Sequence, residues 1–364
     1  MWAIAASAKV AILRRYSSAW VAISNLPARI GWPVTELTAT KNSFDIQKGI
    51  GMSVPQKALV MGAREWILLL VLSVIWGCSF FFFKVLVAEL PPFTVVLGRV
   101  GLAAVLLNLF LVIRRDPMPR SPRLWGSFIV MGILNNVLPF TLIAWGETRV
   151  SSGLASILNA TTPIFTVLAA HFLTHNEKLH WNKGAGVLFG FLGVAVLIGP
   201  SAIAGIGGGD VLGEISCLCA ALIYAFAGIY GRRFKGVPAL KVATGQITGS
   251  TLVLLPVAAL VDRPWNLPMP SAHAWEAWVG IAVFSTALAY MMYFRILAVA
   301  GATNLMLVTF LLPISALLLG AFFLGETITL QALAGMALIG MGLAAIDGRV
   351  WAAIRKALPS SVWE

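Results

Sequence analysis

The chain has 364 residues, 59% of them hydrophobic and only 11% charged, with mean hydropathy +0.89. Soluble domains carry about 25% charged residues, so the composition excludes a water-soluble globular fold and implies an all-α polytopic membrane protein. The net charge of +12 does not point to nucleic acid, because its Lys and Arg sit in short loops and in the N-terminal segment, with no basic stripe interleaved with aromatics.

Residues 1–62 form an N-terminal extension of mixed composition with no run long enough to span a bilayer. Three readings stay open for it: a disordered cytoplasmic tail, an upstream start codon that overextends the protein, and a targeting peptide. Ten apolar runs follow. The first five lie near Trp66–Ala88, Thr94–Ile113, Leu124–Ala144, Ser152–Leu173 and Gly184–Gly199. The second five lie near Val211–Gly231, Ala239–Val261, Trp275–Ala298, Thr303–Leu324 and Gln331–Ile346. Each is expected to be helical, because hydrocarbon offers no partner to backbone N–H and C=O groups. Period-two alternation, the mark of a barrel, is missing.

The basic loops alternate. Arg114, Arg115, Arg120 and Arg123 follow run two, Lys178 and Lys183 follow run four, and Arg232, Arg233 and Lys235 follow run six. Arg349, Arg355 and Lys356 follow run ten, whereas loops on the other side hold only Arg149 and Arg263. Positive charge marks the cytoplasmic side, so both termini, including the tail at 349–364, are expected there.

The chain also matches itself. A shift of 150 positions places Asn135-Asn136-Val137-Leu138 on Ser285-Thr286-Ala287-Leu288 and Pro163 on Pro313. Further on, Glu177 falls on Glu326; earlier, Trp76 meets Tyr224, Lys84 meets Arg232 and Pro91 meets Pro238. Two repeats follow, at 63–200 and 201–348, with five runs each. Five is odd, so the second copy enters the membrane from the opposite side, giving inverted repeats whose interface is the expected binding region.

The order of Trp76-Gly77-Cys78-Ser79-Phe80, Pro91-Pro92 with Arg99, Pro163 before Glu177, and Pro313 before Gly325-Glu326 resembles the EamA-type transporters of the drug/metabolite transporter superfamily. The resemblance covers residues 66–347. It implies ten transmembrane helices, cytoplasmic termini in a bacterial inner membrane, and secondary transport of metabolites or drugs.

Several polar groups then become candidates for binding a small-molecule substrate. Ser152, Ser156, Asn159, Pro163 and Thr166 recur at helical spacing, with Thr162 beside them, and Pro163 frees a backbone carbonyl one turn earlier. Interhelical hydrogen bonding is the competing use of such a stripe. Asn135, Asn136 and Pro139 in run three, and Thr286, Tyr290 and Tyr293 in run eight, fit either a cavity or a packing seam. Trp76, Phe80 and Lys84 share a face, where Lys84 either snorkels to water or serves the site. Arg99 lies two turns into run two, where an Arg costs about 2.5–3.5 kcal/mol at a helix centre, so it is expected to face protein or a cavity. The basic set Lys84, Arg99 and Arg295 suggests a substrate bearing a carboxylate, such as an amino acid or organic acid.

Gly186, Gly190, Gly193, Gly335, Gly340 and Gly342 suit close helix packing, with a homodimer contact as their second use. His171, His175, Glu177 and His180 read as a solvated turn rather than a metal site, and Cys78, Cys217 and Cys219 as buried thiols. No cofactor motif and no nucleotide-binding loop is present, so neither a cofactor nor ATP-driven transport is expected. Two rivals remain: a flippase for a lipid-linked substrate, which needs a lateral opening, and an intramembrane lipid-modifying enzyme, which needs clustered acid, base or metal ligands.

Overall fold

A computed structural model describes residues 62–173, 181–198, 209–305 and 307–347. The expectations for the N-terminal extension, for His175, Glu177 and His180, and for the C-terminal tail fall outside these residues. Among the described residues all regular structure is helical. Helix α1 spans Ala63–Val87 and α2 Pro92–Ile113. Helix α3 runs from Pro122 to Glu147 and is interrupted by a π turn at Ile133–Val137. Helix α4 consists of Ser152–Asn159 and Thr162–Leu173, and α5 is Trp181–Ile198. Helices α6 and α7 cover Gly209–Gly231 and Ala239–Val261. Helix α8 runs from Ala272 to Leu305 with a π turn at Val283–Leu288, and α9 and α10 are Val308–Leu324 and Leu330–Asp347.

Seven of these, α1 to α4 and α6 to α8, carry segments long and apolar enough to cross a membrane, and α5, α9 and α10 hold shorter apolar stretches. The burial pattern inverts that of a soluble protein. Val112 is 72% exposed and Phe322 79%, while Arg99 is 4% exposed and Asn136 and Glu147 are fully buried. Apolar side chains pointing outward around a polar interior suit lipid as the surrounding solvent.

Local chemistry sets the helix ends. Pro92 and Pro122 occupy first helical turns, where a missing N–H costs nothing. Ser151 and Ser271 cap α4 and α8, their hydroxyls accepting from Leu154 N and Ala274 N, both at 3.2 Å. Several boundaries differ from the sequence expectation by a few residues, and the largest differences fall between the eighth and ninth runs. The ninth run was placed from Thr303, but α8 continues to Leu305 and α9 starts at Val308. The first copy breaks there at Thr148–Ser151 and restarts on a serine cap, and the second copy has Ala298 to Gly301, which supplies no such cap.

The two repeats pack with matching partners. Helix α1 lies on α9, and correspondingly α6 lies on α4; α2 packs on α8 as α3 packs on α7; α2 packs on α7, and α5 on α10. The α5–α10 contact shows why its glycines are there. A Cβ on Gly342 would sit 2.5 Å from the Gly186 carbonyl oxygen, and one on Gly193 would sit 2.8 Å from that of Gly335. Gly186, Gly190, Gly193, Gly335 and Gly342 are therefore used within the chain, whereas Gly340 has open space around it. The main apolar core draws on every helix, with Phe83, Val96, Ile157, Ile247, Ile281 and Leu312 among its buried members.

Candidate substrate site

The two π turns fall at equivalent places in the repeats, and each brings a polar side chain inward. A π turn inserts one residue into the helix and re-aims its neighbours, which is why such turns recur at functional sites. In α3 the turn carries Asn135 and Asn136; in α8 it carries Ser285 and Thr286. Asn136 Nδ2 donates to Ser250 Oγ at 3.0 Å, and Ser250 Oγ donates to the Gln246 carbonyl at 2.7 Å. Asn135 Nδ2 donates to Gln246 Oε1 and to the Tyr290 hydroxyl, both at 3.2 Å. The Tyr290 hydroxyl donates to Asn136 Oδ1 at 3.3 Å, closing a ring of hydrogen bonds across α3, α7 and α8.

Arg99 completes this layer from α2. Its Nε donates to Thr286 Oγ1 at 3.1 Å, and its guanidinium carbon lies 3.7 Å from the centre of the Phe140 ring and 4.9 Å from that of Phe83. Stacking on aromatic faces compensates an arginine for lost water. Neither ion pair formed among the described residues, Lys241–Asp116 or His273–Glu276, involves Arg99. A fixed positive charge thus stands beside neutral donors and acceptors, an arrangement that can take a carboxylate and a second polar group of one ligand.

Of the residues expected at the site, Arg99, Asn136, Thr286 and Tyr290 come together here. Trp76 lies one helix away, its ring 5.8 Å from that of Tyr293. Ser156, Asn159 and Thr162 stay on α4, where Ser156 Oγ donates to the Gly153 carbonyl and Thr162 Oγ1 to the Asn159 carbonyl. The carbonyl freed by Pro163 is therefore already occupied, because the Thr162 hydroxyl reaches it at 2.7 Å. Asn159 Oδ1 is buried and meets no hydrogen-bond partner among the described residues. Lys84 does not snorkel: its Nζ donates to the Glu147 and Val150 carbonyls at 2.7 and 2.8 Å.

Sequence reasoning missed Gln246, Ser250 and Glu147. The repeat held a signal for Gln246, since the offset that places Pro91 on Pro238 also places Arg99 on Gln246. Glu147 lies beyond the third apolar run, which ends near Ala144 in the sequence, whereas α3 continues through it.

Three carboxylates lock one end of the bundle by capping helix starts in the other repeat. Glu89 accepts from Ser271 N at 2.8 Å and Ser271 Oγ at 2.5 Å, at the start of α8. Asp262 accepts from Thr94 N at 2.7 Å and Thr94 Oγ1 at 2.9 Å, in the first turn of α2. Glu326 accepts from Ser152 N, Ser152 Oγ and Gly153 N at the start of α4. Each carboxylate meets the positive end of a helix dipole. Ser271 holds the exposed Glu89 carboxyl below its ordinary range through two hydrogen bonds to the charged form. Elsewhere, an open cavity of about 420 Å³ between α3 and α6 is lined by Leu134, Phe226, Ile229, Tyr230 and Arg233.

A lipid-facing helical bundle with a charged polar layer inside it is the architecture of an integral, multi-pass membrane protein. The EamA-like transporter family model matches residues 64–199 and 211–346, so the chain belongs to that family and carries two copies of its domain. It is 26% identical over 272 residues to the uncharacterized transporter YoaV of Bacillus subtilis, covering 74% of this chain and 92% of that protein. It is 27% identical to the uncharacterized inner membrane transporter YedA of Escherichia coli, covering 72% and 83%. It is also 27% identical to the WAT1-related protein At3g02690, chloroplastic, of Arabidopsis thaliana, covering 75% and 67%. A solved crystal structure matches with TM-score 0.57 over 78% of this chain and 97% of its own length at 18% identity, a likeness of fold.

Proposed function

We propose that the protein is a secondary transporter that moves small carboxylate-bearing metabolites by alternating access, with ten membrane spans arranged as two inverted five-helix repeats. The carrying observation is the polar layer: Arg99, Asn136, Thr286 and Tyr290 come from both repeats and meet inside an apolar bundle. Substrate sites in inverted-repeat transporters sit at such an interface. Arg99 would take the carboxylate, and the Asn135–Tyr290–Gln246 ring would read a second polar group such as an amine or hydroxyl.

In this reading both termini are cytoplasmic, and the end closed by Glu89, Asp262 and Glu326 faces outward. The described arrangement is then shut to the outside. Transport requires the three caps to release together while the α5–α10 glycine contact keeps the halves attached. Cysteines introduced at Lys235 and Met269 test the orientation: a membrane-impermeant thiol reagent added to intact cells should label the second and spare the first. Reconstituted protein should exchange radiolabelled amino acids or organic acids across the membrane, and an Arg99→Ala variant of normal abundance should not. Failure of all carboxylates alongside flux of a neutral or cationic solute would remove the substrate assignment and leave the transport reading.

A further inference from the structure

We propose that Glu147 is a proton-binding site that couples the conformational cycle to a proton gradient, an inference that rests on the transport reading above. Glu147 ends α3, is fully buried, and neither of its carboxyl oxygens meets a hydrogen-bond partner among the described residues. An ionised carboxylate in that position would carry a large desolvation penalty with no hydrogen bond to offset it, which a bound proton removes.

The surroundings select a proton over other cations. Lys84 from α1 stands beside Glu147 and occupies the Glu147 and Val150 carbonyls that a metal ion would need. The other ionisable groups facing it are Glu326 from the loop after α9, Arg99 from α2, and Cys217 of α6, itself next to Glu214. No group of three His, Cys, Asp or Glu that could hold a metal occurs among the described residues.

The geometry also supplies the second state. The Lys84 ammonium bonds two neutral carbonyls although a carboxyl group lies next to it, the arrangement a protonated Glu147 permits. When the carboxyl O–H bond breaks and the proton leaves to water, the electron pair stays on the carboxylate, which then competes for Lys84. Moving the ammonium onto the carboxylate releases the Glu147 and Val150 carbonyls, and with them the tie between α1 and the α3–α4 turn. That turn leads directly into Ser152 and Gly153, the groups that Glu326 caps. Protonation would thus hold the closed end and deprotonation would loosen it.

The test uses the full-length protein in liposomes and needs no substrate. Infrared spectra at neutral pH should show a protonated carboxyl C=O band that disappears as pH rises. The band should be missing in Glu147→Gln and retained in Glu214→Gln. In Lys84→Met it should persist to higher pH, because loss of a neighbouring positive charge disfavours the carboxylate. Cys217, fully buried beside Gly146, reports opening once Cys78 and Cys219 are replaced by Ala. Its labelling should accelerate at least several-fold more with pH in the parent than in the Glu147→Gln variant. A parent spectrum without a protonated carboxyl band at neutral pH overturns the proposal without any variant. So does a band that survives Glu147→Gln, or Cys217 labelling with equal pH dependence in both proteins. A Glu147-dependent band in a protein that moves no solute would instead sink the transport reading.

Discussion

Arg99 Nε donates to the Thr286 hydroxyl at 3.1 Å, and that hydroxyl in turn donates to the Ile281 carbonyl at 2.9 Å, five residues earlier in the same helix. The π turn of α8 is what brings a carbonyl to this place, so the position of the arginine depends on a helix defect in the opposite repeat. Replacing Thr286 by Val keeps the shape and removes the acceptor. An unsatisfied buried donor costs about 1–3 kcal/mol, so Thr286→Val should lower the thermal stability of the purified protein. A Thr286→Ser variant should keep most of it, and equal stability of both would show that the bond carries little.

The sequence and the structure agree where a single physical signal decides. The seventh run, Ala239–Val261, was legible to the residue because Pro238 and Asp262 bound an uninterrupted apolar stretch. Arg99 was legible as a buried charge because its position two turns into α2 left no route to water. The π turns were not legible, since an inserted residue has no composition of its own; only the pairing of Asn136 with Thr286 across the repeat hinted that the two places were alike. Gln246 went unnoticed because an uncharged amide in an apolar run gives a weaker signal than an arginine. Glu147 went unnoticed because a charge at a span boundary reads as loop until the packing above it is known.

Two of the three glycines of α10, Gly340 and Gly342, separate packing from intrinsic helix preference. A Cβ at Gly342 would lie 2.5 Å from backbone of α5, whereas Gly340 has nothing within 4 Å. Gly342→Ala should destabilise by about 1–3 kcal/mol through overpacking. Gly340→Ala should be neutral or stabilise by up to about 1 kcal/mol, because alanine is the better helix former. Melting curves in detergent compare them directly, and equal effects would mean that α5 and α10 do not approach this closely.

The cap at Asp262 should matter to α2. Asp262→Asn keeps a side-chain acceptor but loses the charge that meets the first turn of the helix. The expected cost is about 0.3–1 kcal/mol, smaller than for Asp262→Ala, where the cap itself is lost at about 1 kcal/mol more. Thermal unfolding of the two variants checks the order.

The Glu89–Ser271 contact predicts a pH dependence of definite sign. The folded protein holds the Glu89 carboxyl below its ordinary range. Its contribution is therefore complete above the ordinary carboxylate range and is lost as pH falls through the lowered folded value. Labelling of a cysteine placed at the exposed His273 should quicken on acidification, and Glu89→Gln should flatten that response. Acidification acts in the opposite sense at Glu147, so a double variant is needed to separate the two groups.

The central claim is that the Arg99 layer binds the transported solute. Its most direct test is exchange of a panel of labelled amino acids and organic acids by reconstituted wild-type, Arg99→Lys and Arg99→Ala proteins, at equal incorporation and equal thermal stability. The lysine variant keeps the charge but loses the planar stack on Phe140 and the forked donors, so its apparent affinity should fall about tenfold or more. The alanine variant should move almost nothing while remaining folded. Wild-type rates and affinities in a stably folded Arg99→Ala protein would contradict the account.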